Sequence, residues 1–260
     1  VEIHGAHGYL VSQFLSPLTN LRDDAWGGDA LRRRRFLIEI VRAARAATAP
    51  SFTIAVKLNS ADFQRGGFEV DEAVEVARAL ETEGVNLIEV SGGTYERPAM
   101  SGSEARAQRA STQRREAYFL EYAQQIRAAT RVPLMLTGGL RTATGMSEAI
   151  ASGAVDVIGL GRPLTYQPDL PRQLLAAEVA GSKEIVVRTR FRKITDLAQV
   201  AWYQQQMLRL AAGAEPDLEL TAWRAVFRTM RHLMRAPRLP ALGAGSPAPD
   251  AAARAATKAA

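Results

Sequence analysis

Short apolar runs alternate with helix-patterned segments along the chain as far as about Leu175, and no other feature limits the possible folds so strongly. Ile3 closes a first strand, and Thr53–Leu58, Leu87–Val90, Pro133–Leu136 and Val155–Leu160 read as four more. Between them Phe36–Ala47, Asp71–Glu83 behind an Asp71 cap, Ala117–Ala129 and Met146–Ser152 carry helical spacing, with Gly84 and Gly153 where helices should stop. Strict alternation implies parallel βαβ units, whose functional side chains gather at the C-terminal ends of the strands. A closed eight-stranded barrel of this type takes about 250 residues, yet only five strands are visible before the pattern changes. The expected fold class is therefore α/β with a parallel sheet over residues 1–180 and a helical extension over 181–235. In that extension Arg190–Gly213 and Leu220–Arg235 read as amphipathic helices carrying Trp202, Tyr203, Trp223 and Phe227. Residues 236–260, rich in Ala, Pro and Gly, should be a disordered tail.

Composition narrows the function classes. With 260 residues, 47% of them hydrophobic, the chain can bury a sizeable core. The absence of cysteine excludes disulfides, thiolate metal sites and cysteine-ligated iron–sulfur clusters, so any redox chemistry needs a bound organic cofactor. No apolar run approaches the ~18 residues of a membrane span and no secretory signal precedes the first strand, which points to a soluble, cytoplasmic protein without a membrane partner. The net charge of +6 is spread over helix-like segments such as Leu31–Arg45 and Arg114–Arg131, without a nucleic-acid-binding signature, so nucleic acid is not an expected partner. There is no solenoid-like repeat.

The strand ends carry the chemistry. The first runs into His4, His7 and Tyr9, which can hydrogen-bond a carbonyl oxygen and supply a proton, a set suited to reducing a polarised double bond. On a helical turn the i,i+3 spacing would put both imidazoles on one face. Against this stand a core histidine, a packing tyrosine, or a metal pair; only Glu2 is near enough to add a third ligand, and no metal site is expected. Lys57 closes an otherwise apolar strand, which is costly unless its ammonium emerges at the open end and meets negative charge; otherwise it is a snorkelling lysine. The third strand leads into Gly92-Gly93-Thr94-Tyr95, adjacent to the site but without an assigned role. The last two strands end in Gly138-Gly139 and in Gly161-Arg162, whose backbone N–H groups and guanidinium suit a phosphate, although glycines also serve ordinary strand-to-helix turns.

His4-Gly5-Ala6-His7-Gly8-Tyr9-Leu10, Gln13-Phe14-Leu15-Ser16-Pro17-Leu18-Thr19-Asn20-Leu21-Arg22, Trp26-Gly27-Gly28, Leu58-Asn59-Ser60-Ala61-Asp62-Phe63 and Glu116-Ala117-Tyr118-Phe119 resemble the old yellow enzyme family of flavin-dependent ene-reductases. The resemblance implies that FMN is the cofactor and NAD(P)H the reductant, and that an α,β-unsaturated carbonyl compound is the small-molecule substrate. It implies that His4 and His7 hold the substrate carbonyl and that Tyr9 is the proton donor. It also implies that Lys57, where arginine is commoner, sits beside the flavin N1 and O2, and that Gly138, Gly139, Gly161 and Arg162 hold the phosphate. By the same resemblance residues 1–180 are an incomplete TIM (β/α)8 barrel whose five strands are the fourth to eighth, so the first three, which supply part of the flavin pocket, are expected upstream of Val1, where the chain opens inside a strand without an initiator Met. Asp29-Ala30-Leu31-Arg32 departs from the family's usual Ser-Leu-Glu-Asn, which puts a capping network in doubt.

Two rival readings stay open, and so does a homo-oligomer. One is a non-catalytic barrel remnant or partner-binding fragment, since five strands leave two sheet edges unpaired with apolar inner faces meeting water. The other is a phosphate-binding lyase or isomerase, which leaves the His4–Tyr9 cluster unexplained.

Overall fold

The computed structural model describes residues 1–92 and 119–235. The reading of Gly93-Thr94-Tyr95 and of Glu116-Ala117-Tyr118, and the disordered tail expected at 236–260, lie outside the described residues. The elements run β1 (Glu2–Gly5), α1 (Leu10–Leu15), α2 (Ala30–Ala46), β2 (Ala55–Asn59), α3 (Val70–Thr82), β3 (Leu87–Ser91), α4 (Leu120–Arg127), β4 (Leu134–Thr137), α5 (Ala143–Ala151) and β5 (Val157–Gly159). A 3-10 turn (Arg162–Thr165), α6 (Leu170–Leu175), α7 (Arg192–Ala211) and α8 (Ala222–Arg235) follow. The strands form one parallel sheet in the order β1-β2-β3-β4-β5.

Right-handed crossovers that always step in the same direction place their helices on one face of the sheet. The core follows this rule: Ile3, Val56, Leu58, Ile88, Val90, Leu134, Leu136 and Ile158 pack against Leu37 and Val41 of α2, Val76 and Leu80 of α3, Ile126 of α4 and Met146 of α5. The side chains between them in each strand point the other way, because the strand period is two. Register lines up His4, Lys57, Glu89, Met135 and Val157 in one row across that second face. This corrects the expectation of apolar inner faces, since the row and its neighbours carry Glu2, His4, Lys57, Glu89 and Thr137.

The helix ends show which local signals govern. The Asp29 side chain caps α2 by accepting from the Arg32 N–H at 2.9 Å, so the departure from Ser-Leu-Glu-Asn keeps a cap. That cap starts α2 at Ala30, six residues before the expected Phe36. Asp71 is not a cap; Glu69 occupies that position, and Asp71 and Glu72 lie in the first turn of α3, where carboxylates complement the helix dipole. Gly84 and Gly153 follow their helices at φ 72 and 71, the left-handed conformation that ends helices.

A second core joins the 3-10 turn to α7 and α8: Tyr166 packs with Trp202, Ala198, Leu220 and Ala225. The Trp202 Nε1–H donates to the Leu220 carbonyl at 2.9 Å, and the Gln206 amide both donates to the Asp217 carbonyl and accepts from its N–H. No helix among the described residues is long and apolar enough to cross a membrane.

Candidate active site

His4 stands on β1, and a tight turn returns the chain toward it. His7 adopts φ 62 and Gly8 φ 77, and Tyr9 is the residue that precedes α1. The His4 and His7 rings lie 5.2 Å apart edge-on, and the Tyr9 ring is 4.9 Å from His4. The helical turn inferred from i,i+3 spacing is thus incorrect: a left-handed His7 brings the rings together. That conformation is uncommon for a non-glycine residue and needs support from outside the turn. Asn59 at the end of β2 accepts from the His7 backbone N–H at 3.1 Å, and Ser91 at the end of β3 holds His7 Nε2 at 2.7 Å.

Burial, then the neighbouring His4 and Lys57, lower His7 to about 4, and burial followed by Lys57 also lowers His4. Both imidazoles are therefore neutral at pH 7, each with one N–H to donate. When the Ser91 hydroxyl donates to Nε2, the His7 Nδ1–H is left for a ligand. The depressed His7 value also sets a pH dependence. The unfolded chain binds the proton more tightly, so stability contributed by neutral His7 is complete above pH 6.5 and is lost as pH falls toward about 4. His7→Asn is expected to flatten that acid limb, which urea titrations at pH 7 and pH 4.5 would measure.

Lys57 does not snorkel alone. Its Nζ lies 3.0 Å from Glu89 Oε1, and the Glu89 side chain is 4% exposed. Burial acts to raise Glu89, but its neighbours Thr137, Glu2 and Lys57 outweigh it and hold Glu89 below its ordinary value. Glu2, burdened by burial and by the neighbouring Glu89, is raised to about 7.

A cavity of about 790 Å³ opens at the C-terminal ends of β2 to β5. His7 and Lys57 line one part of it, and Gly138, Gly139, Gly161 and Arg162 also line it. His4 and Tyr9 flank His7 and are not in the cavity wall. Pairing of Thr137 with Gly159 sets the two glycine turns side by side. Gly138 and Gly139 have φ 147 and 81, while a Cβ at Gly161 would meet nothing within 4 Å, leaving backbone N–H groups approachable. Gly159 is needed for packing, since a Cβ there would lie 1.8 Å from the Thr137 hydroxyl. Among the described residues no three His, Asp or Glu side chains are grouped to hold a metal ion.

The family model described as NADH:flavin oxidoreductase / NADH oxidase matches residues 1–178. The chain belongs to this family. It is 41% identical over 177 residues to the NADH-dependent flavin oxidoreductase iccE of Talaromyces variabilis, a match covering 67% of the chain and 43% of that relative. It is 33% identical to an NADPH dehydrogenase of Geobacillus sp. (strain WCH70), over 66% of the chain and 46% of the relative. A 2-naphthoyl-CoA reductase complexed with 2-naphthoyl-CoA superposes with a TM-score of 0.60 at 29% identity, covering 68% of the chain and 26% of the other. The chain thus spans less than half the length of these relatives. The relatives' names, NADH-dependent flavin oxidoreductase and NADPH dehydrogenase, describe flavin and nicotinamide chemistry in those proteins.

One wall of the cavity lies beyond the segment that matches the family. Asp196 and Tyr203 of α7 line it, and the Arg162 guanidinium sits 6.0 Å from the Tyr203 ring centroid. Sequence reading singled out Tyr203 only as part of an amphipathic helix, and it missed Ser91 and Asn59 as anchors of His7. Their positions on the polar side of two strand ends were the available signal.

Proposed function

We propose that this chain is the FMN-binding portion of an NAD(P)H oxidoreductase that reduces the C=C bond of α,β-unsaturated carbonyl compounds, and that its five strands are the fourth to eighth of a (β/α)8 barrel. The observation that carries this reading is the single cavity containing both the glycine turns with Arg162 and the pair His7 and Lys57. One-directional strand order supports the barrel assignment, as does a chain spanning 43% of its flavin oxidoreductase relative. On the same reading residues 1–180 are the barrel portion, and residues 181–235 form an extension that walls the cavity.

The residues present fit FMN. A volume of about 790 Å³ lies within the ~300–1,000 Å³ usual for cofactor and ligand sites. Left-handed backbone at Gly139, open space at Gly161 and the Arg162 guanidinium make a donor set for a phosphate, and Lys57 places a cation elsewhere on the wall. When bound, FMN supplies hydride chemistry that the side chains lack. Neutral His4 and His7 donate to the substrate carbonyl oxygen and stabilise it as it gains negative charge. Tyr9, 4.9 Å from the His4 ring, holds the proton destined for the carbon α to that carbonyl. Lys57 holds positive charge near the flavin ring, and Arg162 with the glycine turns anchors the phosphate.

Arg162→Ala in the full-length protein is expected to weaken FMN binding by about 1.5–3 kcal/mol, the scale of a hydrogen bond to a charged group. Fluorescence titration measures it. Riboflavin, which lacks the phosphate, should bind the variant and the parent equally; unchanged FMN affinity would remove Arg162 from the site.

A further inference from the structure

Lys57 has two carboxylates near it. Glu89, on β3, is its register partner and its ion-pair partner at 3.0 Å, and it is 3% exposed. Glu2, on β1, lies on the same polar face two positions before His4, the register neighbour of Lys57, and Glu89 together with burial raises it. One ammonium facing two carboxyl groups is balanced when a single negative charge and one proton are shared between Glu2 and Glu89. The other titratable groups acting on this cluster are His4 and His7, both neutral at pH 7.

We propose that the Glu2–Glu89 pair is a positioning and charge-balancing element that fixes Lys57 in place and sets how much of its positive charge reaches the bound flavin, thereby lowering the flavin's reduction potential. The inference rests on the reading that FMN binds in this cavity beside Lys57. The buried ion pair fixes the ammonium in the row between His4 and Met135, so its charge is directed but partly neutralised. A carboxylate this close to Lys57 disfavours electron gain beside it, and neutral glutamine would not. Glu2 adds a dependence on pH: as it loses its proton near pH 7, a second negative charge joins the cluster and the potential should fall further.

The test is dye-coupled potentiometry of the FMN-loaded full-length protein at pH 6 and pH 8.5. In the double variant Glu2→Gln with Glu89→Gln, the ratio of oxidised to reduced flavin dissociation constants should rise about tenfold, equivalent to about 30 mV for a two-electron couple. Glu89→Gln alone should rise less, because Glu2 then ionises in its place. Glu2→Gln, which leaves the buried ion pair intact and keeps the test usable if the double variant does not fold, should match the parent at pH 6 and exceed it at pH 8.5. Lys57→Met should lower the potential. Potentials in all three glutamine variants equal to the parent's at both pH values, with Lys57→Met still lowered, would overturn the inference and leave the reading of Lys57 standing. No effect of Lys57→Met would overturn that reading, and with it the inference.

Discussion

Tyr9→Phe in the full-length protein should slow alkene reduction by about 10²–10⁴-fold, the usual contribution of a positioned general acid, while sparing the binding of phenols that mimic an enolate. The substitution deletes one proton and one oxygen from a ring that is 44% exposed and does not line the cavity, so flavin binding should not change. The double variant His4→Ala with His7→Ala should do the reverse. On the proposed roles, losing both neutral imidazoles removes the donors to the carbonyl oxygen, so phenol binding should be lost while flavin reduction by NAD(P)H continues. Stopped-flow kinetics separate the two half-reactions, and spectral titration with a phenol reports binding. Equal loss of flavin reduction in all variants would mean that the cluster does not hold the alkene.

Arg33→Met should destabilise the fold by about 3–5 kcal/mol, the cost of breaking a buried charge pair by removing one partner. The Arg33 side chain is 9% exposed and ties three segments together. Its Nε–H donates to the Leu15 carbonyl at the end of α1 at 2.9 Å, and its terminal nitrogens donate to the Gly28 carbonyl and to Glu72 in the first turn of α3. Methionine fills part of the volume but leaves two carbonyls and a carboxylate to find water. Arg33→Lys should be intermediate, because one ammonium cannot reproduce the fork. Urea unfolding followed by circular dichroism gives the numbers; a loss under about 1 kcal/mol would show that the contacts are replaced by solvent at little cost.

Because α1 and the His4–Tyr9 turn lie between β1 and the Arg33 anchor, the two predictions are linked through the local fold. A change at Arg33 that loosens α1 should also weaken phenol binding, whereas the Tyr9 variant should leave the melting transition in place.

The alternation of strands and helices, the parallel sheet and the apolar face that meets the helices follow from local patterning. Period two in Val56-Lys57-Leu58 and Ile88-Glu89-Val90 assigns each side chain to a face whatever the neighbouring strands do, and Gly84 and Gly153 end helices through their own backbone freedom. The motifs around His4 and Gly161 were legible for the same reason. Register and long-range support decided the rest. Glu89 meets Lys57 because β2 and β3 pair Lys57 with Glu89, a contact across 32 positions that no local pattern encodes. His7 is held left-handed by Asn59 and Ser91, 52 and 84 residues away, so the turn that assembles the imidazoles appears only once three strands are side by side. The α7 wall of the cavity likewise depends on Trp202 and Tyr166 packing in a second core. Local sequence sets which face a side chain takes, through the geometry of its own backbone; which groups then share that face depends on strand pairing, whose free energy is summed over the whole sheet.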